Sequence, residues 1–299
     1  MTQGNLPLYV AVTADVDPDA NRACPGRVDA VSPASGGKDA CLEACGEGLK
    51  ALVPVLERLG IPCTFFWEAR SLQTLRGAEA GTLDRILGQP AFEHGCHGLR
   101  HEDFSGRESG VRVGAAETLA ILDEATRLVA SQTSVRPVGF RAPYCRLTPG
   151  VRRALRKLGY AYDASVTRVP GQGWTLRPYE LPGGMSGRVV WELALCRGLD
   201  RSGRPITSYL WQLFEGRRQP EEYVEFASSL TRQYAGGLLQ IALHPWHLVV
   251  GEDGEPLRGR TGRDAVGDLS DVLSGVASLG AMRFVNVGQY LKLAAEGGL

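Results

Sequence analysis

Four short polar clusters in this chain carry the residue types of metal-assisted hydrolysis, and each follows an apolar run. Asp15-Val16-Asp17 closes the run from Leu8 to Ala14. His97-Gly98-Leu99-Arg100-His101 follows Phe92-Glu93-His94, Arg141-Ala142-Pro143-Tyr144 follows Val138-Gly139-Phe140, and His244-Pro245-Trp246-His247 follows Leu238 to Leu243. Strand alternation places Asp15 and Asp17 on one side of the chain. Two carboxylates so close need a cation, or one must take a proton. With a metal and a water present, one carboxylate can bind while the other removes the water's proton. Asp19 could cap a helix or add a ligand.

His97 and His101 are four apart, so on a helical turn both rings project to one face and can share a divalent ion. The chain has five histidines, and four of them fall in two of these clusters. The fifth, His94, reads as an ordinary strand residue. Cys96 alternates away from His97. Arg141 at a strand end wants a carboxylate partner, and Asp15 is the natural one. Pro143 stiffens the following loop, and Tyr144 offers a ring and a backbone N–H. His244 at the exit of a buried strand suits a general acid near neutral pH. It is favoured over His247 because it lies closer to the strand. Trp246 and His247 line a cleft or close the end of the fold.

The elements that must position these groups alternate. Strands are expected at Leu8–Ala14, Cys63–Trp67, Phe92–Cys96, Val138–Arg141, Tyr160–Val166, Arg188–Leu195, Leu238–Leu243 and Arg283–Val287. Helical spacing appears over Cys41–Leu59, Leu83–Leu87, Ala115–Ala130, Thr148–Gly159, Glu221–Tyr234, Ala265–Leu279 and Gly288–Ala295. Gly60 is placed to end the first helix. Pro18–Gly37 reads as a long functional loop, and Pro170–Pro205 as irregular apart from its one strand. Repeated β-α units predict a parallel sheet, closed or nearly closed into a barrel, whose site lies at the C-terminal strand ends. All four clusters fall there. No linker is visible, so residues 1–299 are read as a single catalytic domain.

With 299 residues, 43% of them hydrophobic, the chain can bury a large core. Its formal net charge of zero argues against a nucleic-acid or anionic-membrane partner. No run is long enough for a membrane span and no secretory signal is evident, which predicts a soluble, cytoplasmic protein. The seven cysteines, Cys24, Cys41, Cys45, Cys63, Cys96, Cys145 and Cys196, are odd in number and irregularly spaced. They read as reduced thiols rather than a disulfide framework or a second metal site.

The ordered set Asp-x-Asp, His-x-x-x-His, Arg-x-Pro-Tyr and Leu-His-Pro resembles the polysaccharide deacetylase family, the NodB-homology or carbohydrate esterase family 4 group. The resemblance runs from about Leu8 to Leu293. It implies a distorted (β/α)7 barrel and one divalent metal ion, with Zn²⁺ expected. It further implies Asp15 as base, Asp17, His97 and His101 as metal ligands, and Arg141 orienting the base. Tyr144 would give a backbone N–H to the oxyanion, and His244 would be the acid. Thr13-Ala14-Asp15-Val16-Asp17 departs from the usual Thr-Phe-Asp-Asp-Gly motif by an inserted residue and no glycine, as in an Asp-x-Asp branch of the family. The acidic partner that usually tunes the histidine is not evident; Asp163 and Glu192 are the candidates.

The implied reaction is hydrolysis of an N-acyl amide, releasing acetate and an amine from an amino-sugar substrate. A second reading keeps the metal and fold but takes another linear or cyclic amide, such as a ureide-like small molecule. A third is a metal- or carbohydrate-binding protein without catalysis. The joint presence of a base and an acid weighs against it, since binding needs neither.

Overall fold

The computed structural model describes residues 6–182, 188–257 and 264–297. Part of the irregular Pro170–Pro205 stretch, positions 183–187, lies outside the described residues. Seven strands form a parallel sheet: β1 (Leu8–Val16), β2 (Cys63–Trp67), β3 (Phe92–Cys96), β4 (Gly139–Phe140), β5 (Tyr162–Asp163), β6 (Trp191–Glu192) and β7 (Leu238–Leu243). The spatial order is β7-β1-β2-β3-β4-β5-β6, with parallel register throughout. Helices follow β1, β2, β3, β4 and β7 and cover the outer face. This is the α/β, distorted (β/α)7 barrel expected from the sequence.

Period-two alternation sorts β1 and β7 into two faces. Leu8, Val10, Val12, Ala14 and Val16 pack outward into the main core with the helices. Tyr9 and Ala11 belong to a second apolar cluster with Phe66, Tyr162, Ala164 and Leu238, which fills the barrel. Thr13, Asp15 and Asp17 continue that inward row. Phe66 and Tyr162 can fill the interior because glycines face them. A Cβ on Gly95 would lie 2.6 Å from the Phe66 ring, and one on Gly139 would lie 2.1 Å from the Tyr162 ring.

The barrel is distorted where β6 and β7 should meet. They share no ladder; instead the chain at Ser208–Leu210 docks on the free edge of β7. The Ala242 N–H donates to Ser208 O (2.9 Å) and the Leu210 N–H to Ala242 O (2.8 Å). Gln240 of β7 also reaches back, donating from its amide to Leu193 O.

Several boundaries differ from those expected. Val138–Arg141 and Tyr160–Val166 contribute only two ladder residues each, since the sheet is staggered and their ends serve as loops. Arg188–Leu195 splits into β6 and a separate strand, Leu195–Leu199, that pairs with Thr167–Arg168 and Pro205–Thr207. The last strand is Met282–Phe284, beside the first residues of β1. It stops early because Asn286 caps the terminal helix, accepting from the Gln289 N–H at 2.8 Å. The helix Ala69–Ala78, not apparent in the apolar spacing, starts at Glu68, whose carboxylate accepts from the Arg70 and Ser71 N–H groups. Pro18–Gly37 holds a two-residue hairpin, Arg22–Ala23 against Ala30–Val31. All seven cysteines are free. Among the described residues no helix is long and apolar enough to cross a membrane.

Candidate active site and metal centre

Asp15 and Asp17 leave β1 on the inward row, and both are buried. Arg141 reaches them from the end of β4. Its guanidinium lies on the Phe66 ring, 4.5 Å from the centroid, at the boundary between the apolar barrel filling and the polar site. It is completely buried and every arm is used: Nε donates to Ala164 O (2.9 Å), Nη1 to Thr13 Oγ1 (3.0 Å) and Asp15 Oδ1 (2.7 Å), and Nη2 to Gln240 Oε1 (2.9 Å). The expected Arg141–Asp15 pair is therefore present. Burial alone would raise the Asp15 carboxyl, but the Arg141 charge, aided by His97 and His244, holds it below its ordinary value.

His97 and His101 are not on a helical turn, as the four-residue spacing suggested. They flank a tight loop in which Gly98 has φ +88° and His101 φ +54°. Glu102 clamps this loop by accepting from the Leu99 and Arg100 N–H groups at 3.1 and 2.8 Å. A loop that doubles back brings the two rings together as a helix would, with centroids 5.0 Å apart. His97 Nδ1 lies 2.9 Å from Arg141 O and donates to it, which leaves Nε2 with its lone pair free.

Asp17 Oδ2 lies 3.7 Å from His97 Nε2 and 3.2 Å from His101 Nε2. These three ligand atoms fall within 4.8 Å of one another. Asp17 Oδ2 and His97 Nε2 are buried with no hydrogen-bond partner. Tetrahedral ligands about 2.0–2.2 Å from a zinc ion stand roughly 3.4 Å apart, so the separations and the orphaned atoms both fit a divalent ion. The other Asp17 oxygen, Oδ1, accepts from the Trp246 indole N–H at 2.8 Å. Burial would raise the Asp17 carboxyl, but the surrounding His244, His101 and His97 push it far below the usual range.

His244 leaves β7 on the inward row, with Nε2 3.5 Å from Asp17 Oδ2. Neither candidate acidic partner reaches it. Asp163 bonds Ser165 and Glu192 accepts from the Val166 N–H. The two carboxyls face each other, and burial raises both. His244 Nδ1 has no hydrogen-bond partner. Its Nε2 instead meets the hydroxyl of Tyr209 at 2.9 Å, and the same hydroxyl donates to Asp15 Oδ2 at 2.8 Å. Burial pushes the His244 imidazole down to about 4, against the opposing charges of Asp17 and Asp15. Trp246 is sandwiched between the His244 and His247 rings, with centroids 4.8 and 4.6 Å away. His247 is committed to Glu215 at 3.0 Å. Tyr144 lies on a turn with φ +56° and sets its ring edge-on against His101. Asp19 is a cap: it accepts from the Ala44 and Cys45 N–H groups at the start of the first helix. His94 accepts from the Trp67 indole N–H on the outer side of the sheet. Above these groups opens a cavity of about 420 Å³, walled by Tyr144, Tyr209, Trp211 and Trp246 and by Asn21 and Arg22 of the Pro18–Gly37 loop.

Residues 39–162 match the family model described as polysaccharide deacetylase. Within that stretch, less than half of the chain, the sequence is similar to the polysaccharide deacetylase family. The stretch supplies His97, His101, Arg141 and Tyr144; Asp15, Asp17 and His244 lie outside it. A peptidoglycan deacetylase-like protein, FGM2 of Gibberella zeae, is 30% identical over 122 residues. That alignment covers 40% of this chain and 33% of the relative, so the chain spans about a third of the curated relative it matches. A Mycobacterium smegmatis structure designated a polysaccharide deacetylase superposes with a TM-score of 0.67 at 19% identity, covering 98% of this chain and 92% of that one. The Puue allantoinase structure superposes at 0.63 with 16% identity, covering 97% and 90%. At such identities the two structures establish the fold.

Gln240 and Tyr209 were missed in the sequence. Gln240 follows the inward row of β7 and, as a polar residue in an apolar strand, was open to detection. Tyr209 lies in a segment with no periodic signal.

Proposed function

We propose that the chain is a metal-dependent hydrolase that removes an N-acyl group, foremost N-acetyl, from an amino-sugar substrate. The observation that carries the reading is the convergence of three buried ligand atoms, two with no hydrogen-bond partner, beside an arginine-held carboxylate at the C-terminal strand ends. Asp17, His97 and His101 would hold the ion, Zn²⁺ being the expected one; when bound it supplies a polarised carbonyl and a water of lowered pKa. Asp15, kept ionised by Arg141, takes the proton of the attacking water. The Tyr144 N–H offers a donor to the developing oxyanion. His244 faces the departing nitrogen from the opposite rim and gives it a proton.

The cavity volume also admits a compact cyclic or linear amide, so the substrate panel includes both. The location is proposed to be cytoplasmic. The test is metal analysis of the purified chain, then acetate release from N-acetylated sugars and ring opening of cyclic amides, each with and without chelator. About one ion per chain and chelator-sensitive acetate release support the reading. Ring opening without acetate moves the substrate to the ureide class. No metal uptake and no turnover would leave a binding protein. Asp15→Asn should cut turnover by at least about 10³-fold while leaving bound metal unchanged.

A further inference from the structure

Tyr209 sits on the segment that bridges the gap between β6 and β7, outside the stretch matched to the family. Its backbone is pinned on both sides by the Ser208 and Leu210 bonds to Ala242. Its ring lies against the His244 imidazole, centroids 5.0 Å apart. Its hydroxyl has one proton and two lone pairs. The proton goes to Asp15 Oδ2 at 2.8 Å, so the hydroxyl accepts from His244 Nε2 at 2.9 Å. Asp15 Oδ1 is already taken by Arg141. His244 Nδ1 has no partner. Tyr209 thus makes the one side-chain hydrogen bond that orients the His244 ring among the described residues.

We propose that Tyr209 is a positioning residue that sets the distance and angle between Asp15 and His244 through a single hydroxyl. It takes the place in which Asp163 or Glu192 was expected to orient His244, and it does so from the cavity side. The inference rests on the deacetylase reading for the roles of Asp15 and His244, but not for the geometry. The backbone that closes the barrel is the same one that delivers the hydroxyl, so fold closure and site alignment share one segment.

Tyr209→Phe keeps the ring contact and removes the hydroxyl. The zinc-loaded full chain would be assayed for acetate release from N-acetylglucosamine oligomers. The variant's kcat should fall about 10- to 100-fold, the range for ångström-scale misplacement of a reacting group. KM, zinc stoichiometry and melting temperature should be little changed. A variant with the wild-type kcat overturns the proposal, as does a loss confined to KM or to zinc content. If the wild type binds zinc but releases no acetate, the deacetylase reading fails by itself. The positioning is then judged by diethylpyrocarbonate labelling of His244, read by mass spectrometry. Freed of the hydroxyl, Nε2 should be modified severalfold faster in the variant; equal rates overturn the positioning.

Discussion

The two rims of the cleft are fastened to the barrel by different means. On one rim Asp15, Asp17, His97 and Arg141 extend directly from ladder-paired strands, and Arg141 ties β4 to β1 through Thr13 and Asp15 and to β7 through Gln240. On the other rim only His244 extends a strand. Its neighbours Tyr209 and Trp246 come from a bridging segment and a short turn and hold His244 by ring contacts and one hydroxyl, with His247 stacked on the far face of Trp246. Backbone ladders fix the first rim, and side chains fix the second. Damage to the first should appear in folding and metal binding; damage to the second should appear in alignment.

The largest effect should come from Arg141→Met. It removes four buried hydrogen bonds and leaves the Asp15 carboxylate without its cation. Removing one member of a buried pair costs about 3–5 kcal/mol. Urea denaturation at neutral pH should show a loss of that order. A loss under about 1 kcal/mol would break the comparison, because the ladder-borne rim would then contribute little to folding.

Trp246→Phe tests the link between rims. It preserves an aromatic face for His244 and His247 but deletes the indole N–H that Asp17 Oδ1 accepts. Partners of metal ligands typically contribute 10- to 100-fold in affinity. Zinc affinity, measured by competition with a chelator of known strength, should weaken within that range. Unchanged affinity would mean that Asp17 is held by β1 alone.

This division also explains what could be read from the sequence. Asp15, Asp17, Arg141 and His244 were legible because each ends an apolar run, and strand alternation dictates its face. The pair His97–His101 was legible by spacing, although the local structure is a left-handed loop clamped by Glu102 rather than a helical turn. Spacing fixes proximity but not the path between two residues. Tyr209 was illegible because its place depends on an unpaired edge of β7, a property of the closed sheet rather than of its neighbours in sequence. The choice of Asp163 or Glu192 as partner to His244 failed for the same reason. Both are inward-region carboxyls on adjacent strands, but they face each other. The helix Ala69–Ala78 was missed because its start is set by Glu68, not by an apolar stripe.

Gly48→Ala should disturb the second rim from behind. Helix Glu43–Leu59 packs on the turn Pro245–Leu248, and a Cβ on Gly48 would lie 1.9 Å from Pro245 O. The helix or the turn must shift, at about 1–3 kcal/mol. Because that turn follows His244 and carries Trp246, whose indole N–H bonds Asp17, both turnover and zinc affinity should fall. Gly46→Ala is the control on the same helix. The three atoms nearest its Cβ would all belong to the Glu79 side chain, the first at 3.2 Å, and that chain can swing aside. Thermal melts should separate the two, with Gly46→Ala neutral or slightly stabilising. Equal losses would mean that the helix, and not the turn, is the sensitive element.

The smallest expected effect concerns a brace on the first rim. Helix Ala69–Ala78 supports the metal-ligand loop: the Ala69 and Arg70 N–H groups donate to Gly98 O and Leu99 O. Glu68 caps that helix from a fully enclosed position. Burial raises its carboxyl from 4.5 to about 8, with the Ser71 hydrogen bond opposing and the nearby Glu102 charge adding to the rise. Between those two values the folded chain holds a proton that the unfolded chain has released. Stability therefore falls as pH rises through that window. Glu68→Gln cannot ionise and should lack this component. The difference in unfolding free energy, wild type minus variant, should decrease from about pH 5 to about pH 8 and level off above. Metal content should stay the same, since the cap stands behind the loop and not in it. A difference that is flat across the window would mean that Glu68 is ionised in the folded chain, its charge carried by the two cap bonds. The first rim would then rest on a charged cap rather than a neutral one.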